Sequence, residues 1–297
     1  MTTELPEAPP KDHPSKPGER SDASVVTQFF LLPLAVVGGM VGVFLLFTLA
    51  TRRTPTPEDY LRTLRSGRFN QRWQAAFELS NVIKNAPSRN PDRNLEKELA
   101  RVFEASMASK DEDPRVRRYL ALALGNSGSS EAIGPLLKGA VSSDPETRLY
   151  SLAGLARLHA NESKELFVRG LADPDPAIRS VCAYGLGAIP GVEAGHELTE
   201  MLKDTAPEVR WNAALALARL GDNSGQGVLI EMLNRQYLDG FPHLEPEDKA
   251  ELILNALRGL KHLKVNGLDE ALRTLSEKDP SPSVRKAARS WNEPDPS

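Results

Sequence analysis

Four arginines constrain this chain more than any other feature. Arg117, Arg148, Arg179 and Arg210 follow one another at a constant step of 31 residues. Each closes a short segment of one pattern: Asp111-Glu-Asp-Pro-Arg-Val-Arg117, the weaker Ser142-Ser-Asp-Pro-Glu-Thr-Arg148, Asp173-Pro-Asp-Pro-Ala-Ile-Arg179 and Asp204-Thr-Ala-Pro-Glu-Val-Arg210. A fixed period between 20 and 50 residues marks stacked copies of one supersecondary unit.

The unit is legible within each copy. A short apolar-periodic segment such as Ala132–Val141 leads into an Asp/Pro turn, and a second segment such as Val209–Leu220 follows and stops at Gly221. Ala213, Leu217 and Leu220 fall at helical spacing. Pro at the start and Gly just past the end match the helix asymmetry. Each copy therefore reads as helix, tight turn, helix. One such pair cannot bury its own apolar face, so pairs stack. The predicted fold is all-α, an α-solenoid of about six repeats. The Asp and Arg of each copy are expected to form a structural ladder, with Asp accepting from Arg and the guanidinium reaching on to the next copy. Its members are Asp111, Arg117, Arg148, Asp173, Arg179, Asp204, Arg210, Asp279 and Arg285.

These copies resemble HEAT repeats of the short bacterial type. The resemblance rests on Asp and Arg six residues apart, the Pro between them, and the closing Ala-x-x-x-Leu-Gly type of ending seen at Ala121–Gly125 and Ala183–Gly187. It is strong over 111–220 and fainter over 58–110 and 225–291. It implies a right-handed solenoid, and binding or scaffolding more often than catalysis.

Before the repeats, residues 1–23 are Pro-rich and charged and predict a disordered tail. Ala23 to Thr51 contains no charged residue, and residues 24–51 predict a transmembrane helix. A cleaved signal peptide is the rival; it calls for a shorter apolar run and a basic leader. Lys11, Lys16 and Arg20 precede the run, and Arg52, Arg53, Arg62, Arg65 and Arg68 follow it. That excess predicts a single-pass membrane protein with a cytoplasmic repeat domain and the N-terminus outside. Gly38 and Gly42 form a Gly-x-x-x-Gly pair, a possible homodimer face. Residues 52–57 read as a linker, 58–292 as the solenoid and 293–297 as a disordered tail.

Two insertions interrupt the pattern. Asn85–Asn94 carries Arg89 and Arg93; it reads either as a solvated loop or as a basic finger. From Arg210 to Arg285 there are 75 residues, thirteen more than two periods. The surplus falls in Asn234–Leu244, which carries Tyr237, Phe241 and His243. Aromatic residues on a loop suit a partner hot spot; they equally suit a loop tucked into the edge of the solenoid.

Catalytic signals are missing from the sequence. One His-Glu pair, His196-Glu197, falls short of the repeated pairs that the iron-dependent hydroxylase type of HEAT protein uses. No phosphate-binding Gly-rich loop and no Gly-x-Ser-x-Gly elbow occur. Cys182 is the only cysteine, and the net charge is −3, which argues against a nucleic-acid binder. No cofactor is expected. The sequence predicts a non-enzymatic, membrane-anchored scaffold or assembly factor for a protein partner. One alternative is a bilin-lyase-like enzyme or lyase subunit, whose chemistry has no short signature. The other is an anionic-lipid or nucleic-acid binding module through Arg89, Arg93 and the arginines after the apolar run.

Overall fold

The computed structural model describes residues 32–51, 55–85 and 93–293. The expected tail 1–23, residues 52–54 of the linker, Arg89 and residues 294–297 lie outside the described residues. The chain divides into two compact units, Met1–Pro55 and Thr56–Ser297.

The first unit holds one helix, α1 (Leu32–Thr51). The expected transmembrane segment over 24–51 is corrected here: among the described residues, no helix is long and apolar enough to cross a membrane. The single-pass location, with its assignment of inside and outside, falls with it. A Cβ added at Gly38 or Gly42 would meet no atom within 4 Å, and the expected homodimer face gains no support.

The second unit is entirely helical among the described residues. Seven helix pairs follow one another, against the six or so read from the sequence. They are α2 (Pro57–Ser66) with α3 (Phe69–Lys84), α4 (Arg93–Ala108) with α5 (Pro114–Ser127), α6 (Ile133–Gly139) with α7 (Pro145–Arg157), and α8 (Lys164–Gly170) with α9 (Pro176–Ala188). Next come α10 (Gly195–Met201) with α11 (Pro207–Arg219), then α12 (Gln226–Met232) with α14 (Pro246–His262), separated by the short α13 (Arg235–Asp239). The last pair is α15 (Asp269–Lys278) with α16 (Pro282–Arg289).

The Asp-Pro dipeptide sets where second helices begin. Asp113, Asp144 and Asp175 are N-caps whose side chains accept from the backbone N–H of Arg115, Thr147 and Ala177, each at 2.9 Å, and Pro takes the first helical position. The first helices α6, α8, α10 and α12 have seven residues each, too few to persist alone in water; packing holds them.

Second helices pack side by side from α3 through α11, close enough that glycine is needed at two crossings, Gly125 on Gly154 and Gly187 on Ala216. A Cβ on Gly125 would stand 2.5 Å from the Cα of Gly154, so α5 and α7 meet backbone to backbone. Two hydrophobic cores result. The larger runs from Leu61 to Leu217, the smaller from Trp211 to Ala288. Helix α11 belongs to both: Ala213, Ala216 and Leu217 face the first, Trp211, Ala214, Leu215 and Ala218 the second.

Candidate interaction surfaces

The arginine series makes the expected reach to the next copy but not the expected bond to the Asp of its own copy. Within a copy, Arg donates to backbone carbonyls and not to the carboxylate of its own Asp. Nη1 of Arg179 donates to the carbonyls of Asp173 (3.0 Å) and Pro174 (3.1 Å). Arg148 does the same with Ser142 and Ser143, Arg210 with Asp204 and Thr205, and Arg285 with Asp279 and Pro280. The reason is geometric: the carboxylate is already bent back onto its own turn, where Asp173 and Asp204 accept from the N–H of Asp175 (2.9 Å) and Ala206 (2.8 Å). Arg117 donates to the carbonyls of Ser106, Ser109 and Glu112, and Asp111 stands exposed.

The carboxylates serve the preceding repeat instead. Nε and Nη2 of Arg179 grip both oxygens of Asp204 at 2.8 Å, and Arg148 reaches Asp173 at 3.7 Å. Where position 142 is serine, Arg118 makes the link by reaching Asp144 at 3.1 Å. Arg72 joins the first two pairs through Glu112 at 2.5 Å. Between the sixth and seventh pairs, Arg235 forks onto Asp279 at 3.1 and 2.8 Å. The Arg179 guanidinium holds the Asp204 carboxyl below its ordinary range, and Arg118 acts with Thr147 to lower Asp144 against the opposing effect of burial.

The insertion folds onto the solenoid. Phe241 meets Trp211 edge-on with centroids 5.1 Å apart, and Tyr237 completes the cluster at 5.3 Å from Phe241 and 6.5 Å from Trp211. Trp211 is 2% exposed. Tyr237 and Phe241 are therefore half-buried packing residues, the tucked alternative of the two readings. His243 is exposed, with Nε2 at 2.9 Å from Oε1 of Glu208. Arg93 opens α4 and is exposed; no basic finger can be built around it from the described residues.

A second set of aromatic residues lies along the second helices, and sequence reading passed over it. Phe77 and Tyr184 are 39% and 37% exposed. Both stand five places after a register arginine, Arg72 and Arg179. Tyr119 and Tyr150 stand two places after Arg117 and Arg148. Phe77 touches Tyr119 of the next pair edge-on at 5.1 Å. Arg115 lies over the Trp73 ring at 4.5 Å, and Arg219 over Tyr184 at 4.9 Å. Beside Tyr184 runs a groove of about 570 Å³ bounded by Ser180, Val181, Glu208 and Asn212. The signal was present as an aromatic two or five places after four of the arginines, but a helical stripe of aromatics reads first as core.

A larger cleft, about 850 Å³, opens between α12–α13 and α15, floored by Leu233, Leu268 and Leu275 and crossed by the Arg235–Asp279 pair. Among the described residues no group of three or more His, Cys, Asp or Glu is placed to hold a metal ion. Cys182 is buried, and burial pushes its thiol up to about 12, far from a reactive thiolate.

The comparisons agree with this architecture. The HEAT-repeat family model matches residues 103–186, 135–204 and 165–239, so the middle of the chain carries HEAT repeats. No curated protein matches it. Among solved structures it is similar to the complex of CpcE and CpcF of phycocyanin lyase from Nostoc sp. PCC7120, at 19% identity over 81% of this chain and 96% of that one, TM-score 0.54. It is also similar to computationally designed armadillo repeat proteins for modular peptide recognition (17% identity, 70% and 99% covered, TM-score 0.40) and to human deoxyhypusine hydroxylase (16%, 80% and 94%, TM-score 0.33). At these identities the likeness shows the fold: an all-helical solenoid of HEAT- or armadillo-like repeats.

Proposed function

We propose that this chain is a protein-interaction scaffold whose working surface is the face of its second helices. The observation that carries the reading is the exposure of Phe77 and Tyr184 in the same register, with Arg219 stacked on Tyr184 and Arg115 on the nearby Trp73. Aromatic side chains and arginine are the residues enriched where proteins bind one another. A rigid solenoid holds them in line without any ordering cost at the moment of binding. The test is photo-crosslinking from a benzoylphenylalanine placed at Val181, compared with one at Glu165 on the first helix of that pair. A discrete partner joined from position 181, absent from 165 and lost in Phe77→Ser/Tyr184→Ser, supports the reading. Equal products from both positions would sink it.

A second reading draws on the phycocyanin lyase match, which covers most of both chains. Under it the chain is a lyase-like enzyme or a subunit that works beside another HEAT chain. Mixing the purified chain with a bilin separates the two: a shifted absorbance band retained through gel filtration favours the lyase reading, and a colourless chain ends it.

A further inference from the structure

Every junction between neighbouring helix pairs in the second unit is crossed by an arginine–carboxylate pair except one. Asp173 and Asp204 hold the acceptor position at steps of 31, and the next step lands on Arg235. At the fourth-to-fifth junction the position works as follows. Arg179 is oriented by two backbone carbonyls through Nη1, and its Nε and Nη2 fork onto Asp204. Arg210 keeps the first half of that arrangement, with Nη1 at 2.8 Å from the Asp204 carbonyl and 3.2 Å from that of Thr205. The second half is empty. Nε and Nη2 of Arg210 make no hydrogen bond among the described residues, and the residue is half-buried. Arg235 cannot fill the position; it carries the same charge and is turned away to Asp279. The turn amides that an aspartate would have taken are satisfied by Asn234, whose Oδ1 accepts from Gln236 (3.0 Å) and Tyr237 (3.3 Å).

We infer that the Arg210 fork is a docking point for a carboxylate of a protein partner, an Asp or Glu side chain in an acidic segment. The bound group would take the place that Asp204 takes at Arg179. The guanidinium is already oriented, so a bidentate contact orders little that is not ordered already. Asp204 is already forked by Arg179 and Glu208 meets His243, so neither carboxylate fills the fork, although Asp204 lies near enough to feel the Arg210 charge. This inference rests on the scaffold reading and adds the chemistry of one contact to it.

The test is a titration of the full chain, labelled at arginine Nε, followed by nuclear magnetic resonance. The probes are acetyl-Leu-Asp-Ala-Glu-Leu-amide, the same peptide with Asn and Gln in place of Asp and Glu, and inorganic phosphate. The acidic peptide is expected to move the Arg210 Nε–H signal saturably, and the amide peptide to leave it in place. The Arg179 signal should not move, because its fork is filled. Arg285, whose fork also lacks a partner but has no following turn to frame it, should move less. Arg210→Lys keeps the charge and loses the fork, and should weaken the peptide by about fivefold. A still Arg210 signal, equal movement of Arg285, or a response to phosphate alone would each overturn the inference. If Arg210→Lys does not fold, the contrast between the Arg210 and Arg179 signals in the native chain still decides. Failure here leaves the crosslinks from position 181 standing; failure of those crosslinks as well would remove the scaffold reading.

Discussion

The solenoid on the two sides of α11 is built to different tolerances. On the N-terminal side the 31-residue step is constant from Arg117 to Arg210, Gly125 and Gly154 let second helices touch, and every junction is crossed by a guanidinium–carboxylate pair. On the C-terminal side thirteen residues are added and α14 packs less closely on its neighbours. There Trp211 fills the space with help from Tyr237 and Phe241. The contrast teaches that a repeat array can absorb an insertion by exchanging backbone proximity for one large side chain. The regular side is supported by many small contacts, each replaceable. The irregular side depends on one indole.

The largest effect should therefore come from Trp211→Ala. Removing a buried Trp costs about 3–5 kcal/mol, and the loss should be local. Hydrogen exchange is expected to show α12, α14 and α16 deprotected while α5, α7 and α9 keep their protection. Uniform loss along the solenoid would break the comparison.

A smaller contrast comes from two glycines. Gly125→Ala presses a methyl onto backbone at 2.5 Å and should cost about 1–3 kcal/mol. Gly259→Ala meets only the Ala218 Cβ and a Leu229 methyl at 3.3 Å, which can give. Its gain in helix propensity, about 1 kcal/mol, should leave it near neutral. Urea midpoints measure both, and equal costs would mean the two sides are packed alike.

The smallest expected effect is electrostatic. Arg179→Ala should cost about 1–2 kcal/mol near neutral pH, since it strips a mostly buried carboxylate of its partner. Arg210→Ala, which strips none, should cost less. The Asp204 carboxyl is depressed in the folded state relative to its ordinary 3.8. Its contribution is therefore present above that pH and is lost as pH falls through the folded value. The gap between native chain and Arg179→Ala should close in acid; a gap that held constant into acid would show that the Asp204 pair contributes nothing.

Much of this was legible in the sequence. The arginine step and the Asp-Pro starts determine the helix pairs, because capping and proline geometry are local. The extra residues after Asn234 were legible as an insertion for the same reason. The direction of the ladder was not: whether Arg179 bonds Asp173 or Asp204 depends on how the turn carboxylate folds back, which six-residue spacing cannot reveal. The defect at Arg235 could have been read by stepping the aspartates forward as well as the arginines. The aromatic row at Phe77 and Tyr184 was hidden because helical periodicity does not distinguish a residue facing the core from one facing an open groove. The apolar run was over-read as a membrane span over 24–51: among the described residues no helix is long and apolar enough to cross a membrane.

The missing pair between the fifth and sixth repeats has a mechanical consequence. An array stitched at each step resists bending evenly, and a step without its stitch collects the give. With no carboxylate on the Arg210 fork, that joint is held by the Trp211–Phe241 packing and the exposed His243–Glu208 contact; it is where the array is expected to give first, and a carboxylate seated on Arg210 is expected to stiffen it.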